Sequence, residues 1–339
     1  MEEIFKKLLI LRTPGIGPAK YNELIHKFGS VKTVFESLSW DEKLKDSVKR
    51  EIETSEKLGI KYLSDEDSDY PKSLFEIKNH PPVISVRGNV SVFKKQLVSM
   101  VGTRHATGAG IKFMSDLAES FAKNNYAVVS GMAIGTDTAA HMGALRVNGD
   151  SETIAVLAGG VDYIWPLENE SLYYEIIEHG AVISEMPVGI QPTASNFVQR
   201  NRWIAGLCDK LILGEADLKS GSMTTARFAL EYGKQLFAIP SHPSDSRSAG
   251  PNELIQKGFA KLCTGEKDFF EYSDDKKAKK NLDKKEVENN LLDKLGIVPV
   301  SESVLAELVK KNISEIKTEL VILELQGLIR KQDGGYVKI

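Results

Sequence analysis

The sequence contains little cysteine: only Cys208 and Cys263 occur among its 339 residues. Neither belongs to a CxxC motif and no histidine pair accompanies them, so the spacing excludes a disulfide framework and a zinc site of the common types. Both thiols are predicted to be buried packing groups. We therefore expect neither a metal ion nor another cofactor.

Long hydrophobic runs are also missing. A membrane-spanning helix needs about 20 consecutive apolar residues, and no stretch of this sequence approaches that length. The first residues, MEEIFKKLLILRTPG, are interrupted by charge and lack the small-residue cleavage site of a signal peptide. These features argue against a membrane protein and predict a cytoplasmic one.

A strong excess of basic residues is absent too, because 44 lysines and arginines face 47 acidic residues for a net charge of −3. Dedicated nucleic-acid-binding domains are usually strongly basic, so any nucleic-acid binding must depend on a local patch. The motifs GxGxxG and GxxxxGK[ST] do not occur at a strand-to-helix turn. Their absence argues against a nucleotide oxidoreductase and a Walker-type ATPase.

The residues that are present predict four segments. Residues 1–62 form a small helical domain, 63–270 a Rossmann-like core, 271–288 a charged linker and 289–339 a winged-helix domain. In the first segment, Gly15-Ile16-Gly17 separates two apolar runs and is followed by Pro18, which resembles a helix-hairpin-helix or SAM-like domain. Such a hairpin offers backbone N–H groups to a phosphate, with Lys20 and Lys27 nearby; the alternative is a bundle whose hairpin is only a turn.

In the second segment, short apolar runs alternate with helical patterns, which predicts an α/β fold with a doubly wound, mostly parallel sheet. Strands are expected at 83–87, 97–101, 127–129, 153–157, 181–184, 210–213 and 235–239. Helices are expected near 111–121, 137–145, 169–178, 196–207, 222–232 and 252–257.

Four of the predicted strands end in glycine-bearing loops, and in such a sheet these ends meet at one rim where ligands bind. The alternative is that the glycines only allow each strand to turn into its helix. Because Arg104 and Lys219 lie in two of the loops, we favour a phosphate-bearing ligand. The candidate residues are Gly102, Thr103, Arg104 and Thr107; Ser130 and Gly131; Gly159 and Gly160; and Lys219, Ser220, Gly221 and Ser222.

A run of arginines and aromatics, NFVQRNRWIAGL, precedes the last of these loops. It places Arg200, Asn201 and Arg202 between Phe197 and Trp203, a combination suited to a single strand whose phosphates are bound while a ring stacks on an unpaired base. The helical spacing of Phe197, Ile204 and Leu207 leaves an alternative in which the aromatics are core and only the arginines are exposed.

The last segment predicts short helices in LLDKLG, SVLAELVKK and ISEIKTELVILELQGLI, followed by a hairpin turn at Asp333-Gly334-Gly335. Helices followed by a hairpin indicate a winged helix. Glu315, Glu319 and Glu324 outnumber Lys317 on the helix in the recognition position. We therefore favour a protein contact or a packing role over reading of a duplex.

Several long motifs together resemble the DprA or Smf family, DNA-processing protein A of bacterial transformation and recombination. They are VGTRHATGAG, VVSGMAIGTDTAAHMGAL, TIAVLAGGVDYIWPLEN, SEMPVGIQPTASNFVQRNRWIAGL and EADLKSGSMTTARFALEYGKQLFAIP. The resemblance implies a non-catalytic, Rossmann-like homodimer that binds and protects single-stranded DNA. It further implies that the strand is handed to the RecA recombinase in competition with single-strand-binding protein.

By the same resemblance, Gly102, Thr103 and Arg104 hold phosphate, while the arginines of QRNR and Lys219 line the same positive groove. The chain departs from the family pattern where Ile134 and Thr136 stand for arginine and isoleucine, and where Ser241 replaces the glycine after AIP.

Two other functions stay open. The same sheet with glycine loops occurs in nucleotide-processing enzymes that resemble the lysine-decarboxylase-like phosphoribohydrolases. For such an enzyme, Asp137 and His141, one helical turn apart, are the candidate acid and base. The third possibility is an adaptor that recruits partners through its winged helix.

Overall fold

The computed structural model of the chain describes residues 2–147, 153–270, 291, 295, 299–309, 311–325, 328–332 and 334–338. The chain divides into two compact units, Met1–Phe269 and Phe270–Ile339. Among the described helices, none combines the length and the apolar character that a membrane span requires.

The first unit begins with four helices: α1 (Glu2–Arg12), α2 (Pro18–Phe28), α3 (Val31–Ser37) and α4 (Glu42–Lys57). Pro18 occupies the first turn of α2, where its missing N–H costs nothing and its fixed φ suits a helix. Gly29, with a φ of 86°, ends α2 in the left-handed conformation. The side chains of Ser30 and Asp41 accept hydrogen bonds from backbone N–H groups at the starts of α3 and α4.

A nine-stranded sheet follows. Its strands are β1 (Ile60–Ser64), β2 (Val83–Gly88), β3 (Gln96–Val101), β4 (Tyr126–Ser130), β5 (Thr153–Val156), β6 (Gly180–Ser184), β7 (Lys210–Leu213), β8 (Gln235–Ala238) and β9 (Lys261–Leu262). Their order across the sheet is β1-β2-β6-β5-β4-β3-β7-β8-β9. The strands from β3 to β9 pair in parallel, whereas β2 is antiparallel to both β1 and β6. The predicted mostly parallel, doubly wound sheet is confirmed.

Six helices connect these strands: α5 (Gly108–Lys123), α6 (Thr136–Leu145), α7 (Glu170–His179), α8 (Ala194–Gly206), α9 (Gly221–Glu231) and α10 (Ala249–Gln256). Alternate residues of β5 show that both faces of the sheet are covered. Ile154 and Val156 belong to the core that contains Trp203 of α8, whereas Ala155 belongs to the core that contains Tyr173 of α7.

The strand order reverses at β3. The chain runs from β3 through β4 and β5 to β6 on one side, and then returns to place β7, β8 and β9 on the other side. The switch point therefore lies between the carboxyl ends of β3 and β7. In open α/β sheets this crevice is the usual place for a ligand.

The second unit has the helices α11 (Glu302–Val309) and α12 (Ile313–Leu325) and an antiparallel hairpin of β10 (Ile329–Gln332) and β11 (Gly335–Lys338). Leu291 and Leu295 share one buried cluster with Leu305, Ile316 and Leu320. This is the predicted winged helix. The predicted linker at 271–288, most of the predicted helix LLDKLG and Asp333 lie outside the described residues. The four segment boundaries stay predictions.

Candidate nucleic-acid interface

A pocket of about 410 Å³ lies at the switch point of the sheet. Its walls are the loop after β3, one side of α8, the start of α9, and Ala133 and Asp137 from the segment that follows β4. Nine of the predicted site residues line it: Gly102, Thr103, Arg104, Phe197, Arg200, Asn201, Ser220, Gly221 and Ser222. The fold thus brings together residues that are widely separated in the sequence, and their contact with DNA is a prediction.

Backbone hydrogen bonds hold the loop after β3 against its neighbours. The N–H of Thr103 donates to the carbonyl of Glu215 at 2.6 Å, and the N–H and hydroxyl of Thr136 donate to the carbonyl of Thr103 at 3.1 and 3.0 Å. Gly102 must be glycine here, because a Cβ would lie only 2.6 Å from the Thr136 hydroxyl. The loop therefore has one fixed path past the pocket.

Thr107 and Glu215 form a link that the sequence did not suggest. The buried Glu215 carboxylate accepts hydrogen bonds from the Thr107 N–H at 2.7 Å and from its hydroxyl at 2.6 Å. The Thr107 hydroxyl also caps α5 by accepting from the N–H of Gly110 at 2.9 Å. Thr107 does not line the pocket; it joins the end of β7 to the start of α5.

Arg104 is the exposed cation of the pocket. Its guanidinium lies 5.0 Å from the ring centroid of Trp165 and 5.8 Å from that of Phe197, and the two rings meet edge to face at 4.7 Å. Within the residues that the structure describes, this guanidinium has no hydrogen bond and no ion pair. Its N–H donors are therefore available to an anion. Trp165 was not among the predicted residues, since it comes from a loop that is distant in sequence.

Arg200 is buried, which corrects the expectation that the arginines of this helix are exposed. Its guanidinium donates to the carbonyl of Gly131 at 2.6 Å and to that of Val156. Burial lowers the pKa of Arg200 to about 10, so the group remains protonated at neutral pH. Gly131 has to be glycine because its Cβ would collide with this guanidinium. Arg200 thus links the ends of β4 and β5 by hydrogen bonds.

Asp137 and His141 are both buried. The Asp137 carboxylate accepts from the N–H groups of Gly131 at 3.2 Å and Ala133 at 3.4 Å, and burial raises its pKa. Burial lowers the pKa of His141 to about 3, and its Nδ1 lies 2.7 Å from the Thr153 hydroxyl. Asp137 also lines the pocket, whereas His141 is fully buried and its Nε2 has no hydrogen-bond partner within the described residues.

Arg202 and Lys219 are not among the residues that line the pocket. Arg202 is two positions beyond Arg200, which turns it by about 200° around α8. It donates to the carbonyl of Asn79 at 3.4 Å and lies 3.9 Å from Glu185. Arg202 therefore lies outside the pocket that Arg104 lines, and its contact with DNA stays a prediction. Lys219 is exposed and directly precedes the pocket residue Ser220.

The glycine pair Gly159 and Gly160 contacts another segment of this chain, where the sequence predicted a ligand. A Cβ on Gly159 would lie 2.7 Å from the carbonyl of Ile190 and 2.9 Å from the ring of Pro192. The N–H of Gly160 donates to the same carbonyl of Ile190 at 2.8 Å. The close approach is thus made by residues 187–192 of this chain, so the expectation that the pair lies open to a ligand is corrected.

Two other predicted residues are core groups. Ser130 is fully buried and its hydroxyl donates to the carbonyl of Met100 at 2.6 Å. Trp203 is 1% exposed, which excludes it as a surface for base stacking. Phe197, by contrast, is only partly buried and reaches the pocket.

The start of α9 supplies the opposite wall of the pocket. The helix begins at Gly221, where the first N–H groups have no acceptors within the helix and the helix dipole is positive. The Ser220 hydroxyl caps the helix by accepting from the N–H of Met223 at 3.4 Å, and Asn201 donates to the carbonyl of Gly221 at 3.3 Å. Because Arg104 lines the same pocket, the pocket combines the elements of an anion site. In the described part of the chain, no three His, Cys, Asp or Glu side chains are grouped to hold a metal ion.

Taken together, the fold and the pocket define a Rossmann-like α/β protein that carries a winged-helix unit. The family model of DNA recombination-mediator protein A matches residues 61–274, and that of the DprA winged helix domain matches residues 275–335. The chain belongs to the DNA recombination-mediator protein A family.

Individual relatives agree with this membership. Protein Smf of Escherichia coli is 34% identical over 288 residues, which are 80% of this chain and 75% of that protein. Protein Smf of Synechocystis is 37% identical over 211 residues, which are 61% of this chain and only 52% of that protein.

Two solved structures share the fold. DNA processing protein A of Streptococcus pneumoniae superposes with a TM-score of 0.67 at 31% identity, covering 78% of this chain and 96% of that one. DNA processing protein A of Helicobacter pylori superposes with a TM-score of 0.57 at 33% identity, covering 62% of this chain and 95% of that one. The Helicobacter structure concerns a single-stranded DNA binding mode of that protein.

Proposed function

We propose that the chain binds single-stranded DNA at the switch-point pocket and acts as a recombination mediator without catalysing a reaction. The observation that carries this proposal is Arg104, an exposed guanidinium with free donors that lies against two aromatic rings, in a pocket that is also lined by the start of a helix. The guanidinium, the helix N-terminus and the partly buried ring of Phe197 suit a phosphate next to an unpaired base.

The remaining site residues have two roles in this proposal. Gly102, Thr103, Asn201, Ser220, Gly221 and Ser222 contact the strand in the pocket, and Lys219 adds charge at its edge. Thr107, Ser130, Gly131, Gly159, Gly160 and Arg200 fix the loops that form its walls, as their buried hydrogen bonds and close contacts indicate. Since phosphate contacts dominate such binding, affinity falls with salt and depends little on sequence.

We further propose that the protein works in the cytoplasm as a homodimer, protects single-stranded DNA against competing single-strand-binding protein and loads RecA onto it. Two pockets on one strand raise the avidity without any new contact. Membership in a family of recombination mediators supports the mediator role, and the Helicobacter relative supports the binding of single-stranded DNA. The acidic and apolar residues Glu315, Val321 and Ile322 on the surface of α12 favour a protein partner over a duplex for the winged helix.

The test is fluorescence anisotropy with a labelled single-stranded oligonucleotide at several salt concentrations, with the duplex of the same sequence as control. Tight binding of the single strand with a steep salt dependence is expected. Equal binding of both forms, or binding of neither, contradicts the proposal. Hydrolysis of a nucleoside monophosphate would instead favour the phosphoribohydrolase-like function, for which Asp137 lines the pocket but the other candidate group, His141, is fully buried.

A further inference from the structure

Three segments of the chain meet at the aromatic side of the pocket. Arg104 comes from the loop after β3, Phe197 from α8, and Trp165 from the loop between β5 and α7. The Trp165 ring is the nearer of the two to the guanidinium, at 5.0 Å against 5.8 Å for Phe197. The aromatic ring nearer to Arg104 is therefore that of Trp165, which was not among the predicted site residues.

The contact with Trp165 matters because nothing polar orients Arg104 within the described residues. An arginine side chain carries about 2 kcal/mol of rotamer entropy, which is lost when the guanidinium is immobilised on a phosphate. A guanidinium that lies over an aromatic face is attracted by the ring without using its N–H groups in hydrogen bonds to polar acceptors. Stacking thus restricts the side chain before binding and leaves its donors available.

The loop that carries Trp165 is itself fixed. Asn169 donates from its side chain to the carbonyl of Met132 at 2.8 Å and to the hydroxyl of Thr138 at 2.9 Å. The rings of Trp165 and Phe197 meet edge to face with their centroids 4.7 Å apart. Trp165 therefore presents a surface of fixed position to Arg104.

We propose that Trp165 is a positioning residue of the single-strand site, which holds the Arg104 guanidinium by cation–π stacking in the orientation that receives a phosphate. The inference rests on the proposed function of the pocket. In this proposal the indole affects binding through Arg104 and does not contact the bases of the strand directly.

A double-mutant cycle of Trp165→Ala and Arg104→Ala tests this inference by anisotropy with a single-stranded oligonucleotide. Trp165→Ala is expected to weaken binding about two- to five-fold, the range of an exposed cation–π contact. It leaves the salt slope unchanged because the charge of Arg104 remains. In the Arg104→Ala background, Trp165→Ala has no further effect. Trp165→Phe, which keeps a ring under the guanidinium, restores most of the affinity.

The control is Tyr174→Ala, which removes another exposed aromatic that contacts an arginine, Arg87, away from the pocket residues. This variant is expected to bind as the wild type does. Additive effects of the two pocket variants would show that Trp165 contacts the strand directly and would overturn the inference, as would unchanged binding by Trp165→Ala. In the additive case, a strand with abasic sites reveals whether base stacking is the direct contact.

A second measurement needs no DNA. The chain has three tryptophans, so the difference in emission between the wild type and Trp165→Phe isolates Trp165. Arg104→Ala is expected to change this difference spectrum, and an unchanged spectrum overturns the inference. If the wild type binds no single strand, the proposed function fails together with the positioning role. If it binds and the cycle is additive, only the positioning role fails.

Discussion

Three arginines near the pocket carry the same charge in three different environments. Arg104 is exposed on aromatic rings, Arg200 is buried with its donors on backbone carbonyls, and Arg202 lies beside Glu185. A positive charge contributes to DNA binding only where a phosphate can reach it. The three side chains are therefore expected to respond differently to mutation.

The salt dependence of binding separates them. Arg104→Ala and Lys219→Ala are each expected to weaken single-strand binding and to lower the slope of log K against log salt by about one unit. Arg202→Ala, on another side of α8, is expected to leave the slope unchanged. Anisotropy titrations at four or more salt concentrations measure all three slopes. A lower slope for Arg202→Ala, or an unchanged slope for Arg104→Ala, would contradict the assignment of the pocket.

The raised pKa of Glu185 makes the stability of the protein depend on pH. Its carboxyl is 12% exposed and 3.9 Å from Arg202, and burial raises its pKa to about 7 from 4.5. The stability that the protonated group contributes is fully present below pH 4.5 and is lost as the pH rises through 7. At about 1.36 kcal/mol per pKa unit, ionisation costs about 3 kcal/mol.

Glu185→Gln removes this ionisation. The variant is expected to have a larger free energy of unfolding than the wild type at pH 8 and nearly the same value at pH 5, measured by urea titration. Glu56→Gln, which changes an exposed carboxylate, is the control and is expected to show neither effect. A difference that is equal at both pH values would mean that Glu185 is already ionised at pH 5 in the folded protein.

Sequence patterns identified most of the residues that line the pocket, but they did not predict which way each side chain points. The helical spacing of α8 showed that one side is buried, yet the charged side chains alone did not reveal that Arg200 is on that side. Its place depends on the carbonyls of Gly131 and Val156, which other strands bring to it. Trp165 and Glu215 were missed for the same reason: their partners are distant in sequence.

At the scale of elements, α5 and α6 pack so closely that a glycine is required between them. A Cβ on Gly143 would lie 2.8 Å from the backbone carbonyl carbon of Ser115, whose oxygen is closer still. The N-terminal ends of these two helices flank the loops that form the pocket. Their separation therefore determines where those loops lie.

Gly143→Ala is expected to lower the free energy of unfolding by about 1–3 kcal/mol, because the added methyl group forces two backbones apart. Gly108→Ala is the control, since nothing lies within 4 Å of its Cβ at the start of α5. It is expected to be neutral or slightly stabilising. Thermal or urea unfolding compares the two variants, and equal stability of both would show that the helices can separate without loss.

The strands of the core were predictable because each is a short apolar run that ends at glycine or at a turn. The two strands that were missed are exceptions to this pattern. β1 directly follows a charged helix and contains Lys61, and β9 has only two residues. The path of residues 187–192 over Gly159 was not predictable, because a glycine pair suits a ligand and a loop of the chain equally well.

At the scale of the whole molecule, the pocket and the winged helix belong to different compact units. The pocket and the core beneath it belong to residues 1–269, which form a unit with its own hydrophobic clusters. The winged-helix unit has its own buried cluster.

Removal of residues 271–339 is therefore expected to leave a folded protein that binds a single strand with the affinity of the full chain. Circular dichroism checks the fold, and anisotropy checks the binding. The full-length Arg104→Ala variant, which keeps both units, serves as the control for loss of binding at the pocket. A folded but non-binding truncated chain would show that the winged-helix unit takes part in single-strand binding.

The position of β3 in the sheet also determines when the pocket forms during synthesis. Val98 of β3 pairs with Lys210 of β7, and at about 5–20 residues per second the ribosome needs roughly 5–20 seconds between the two. Until then β3 has an unpaired edge, and its residues Val98 and Met100, fully buried in the finished protein, lack their cover from β7. The nascent chain therefore carries an unpaired strand edge before the pocket is complete, and this interval is the one in which a chaperone is most useful.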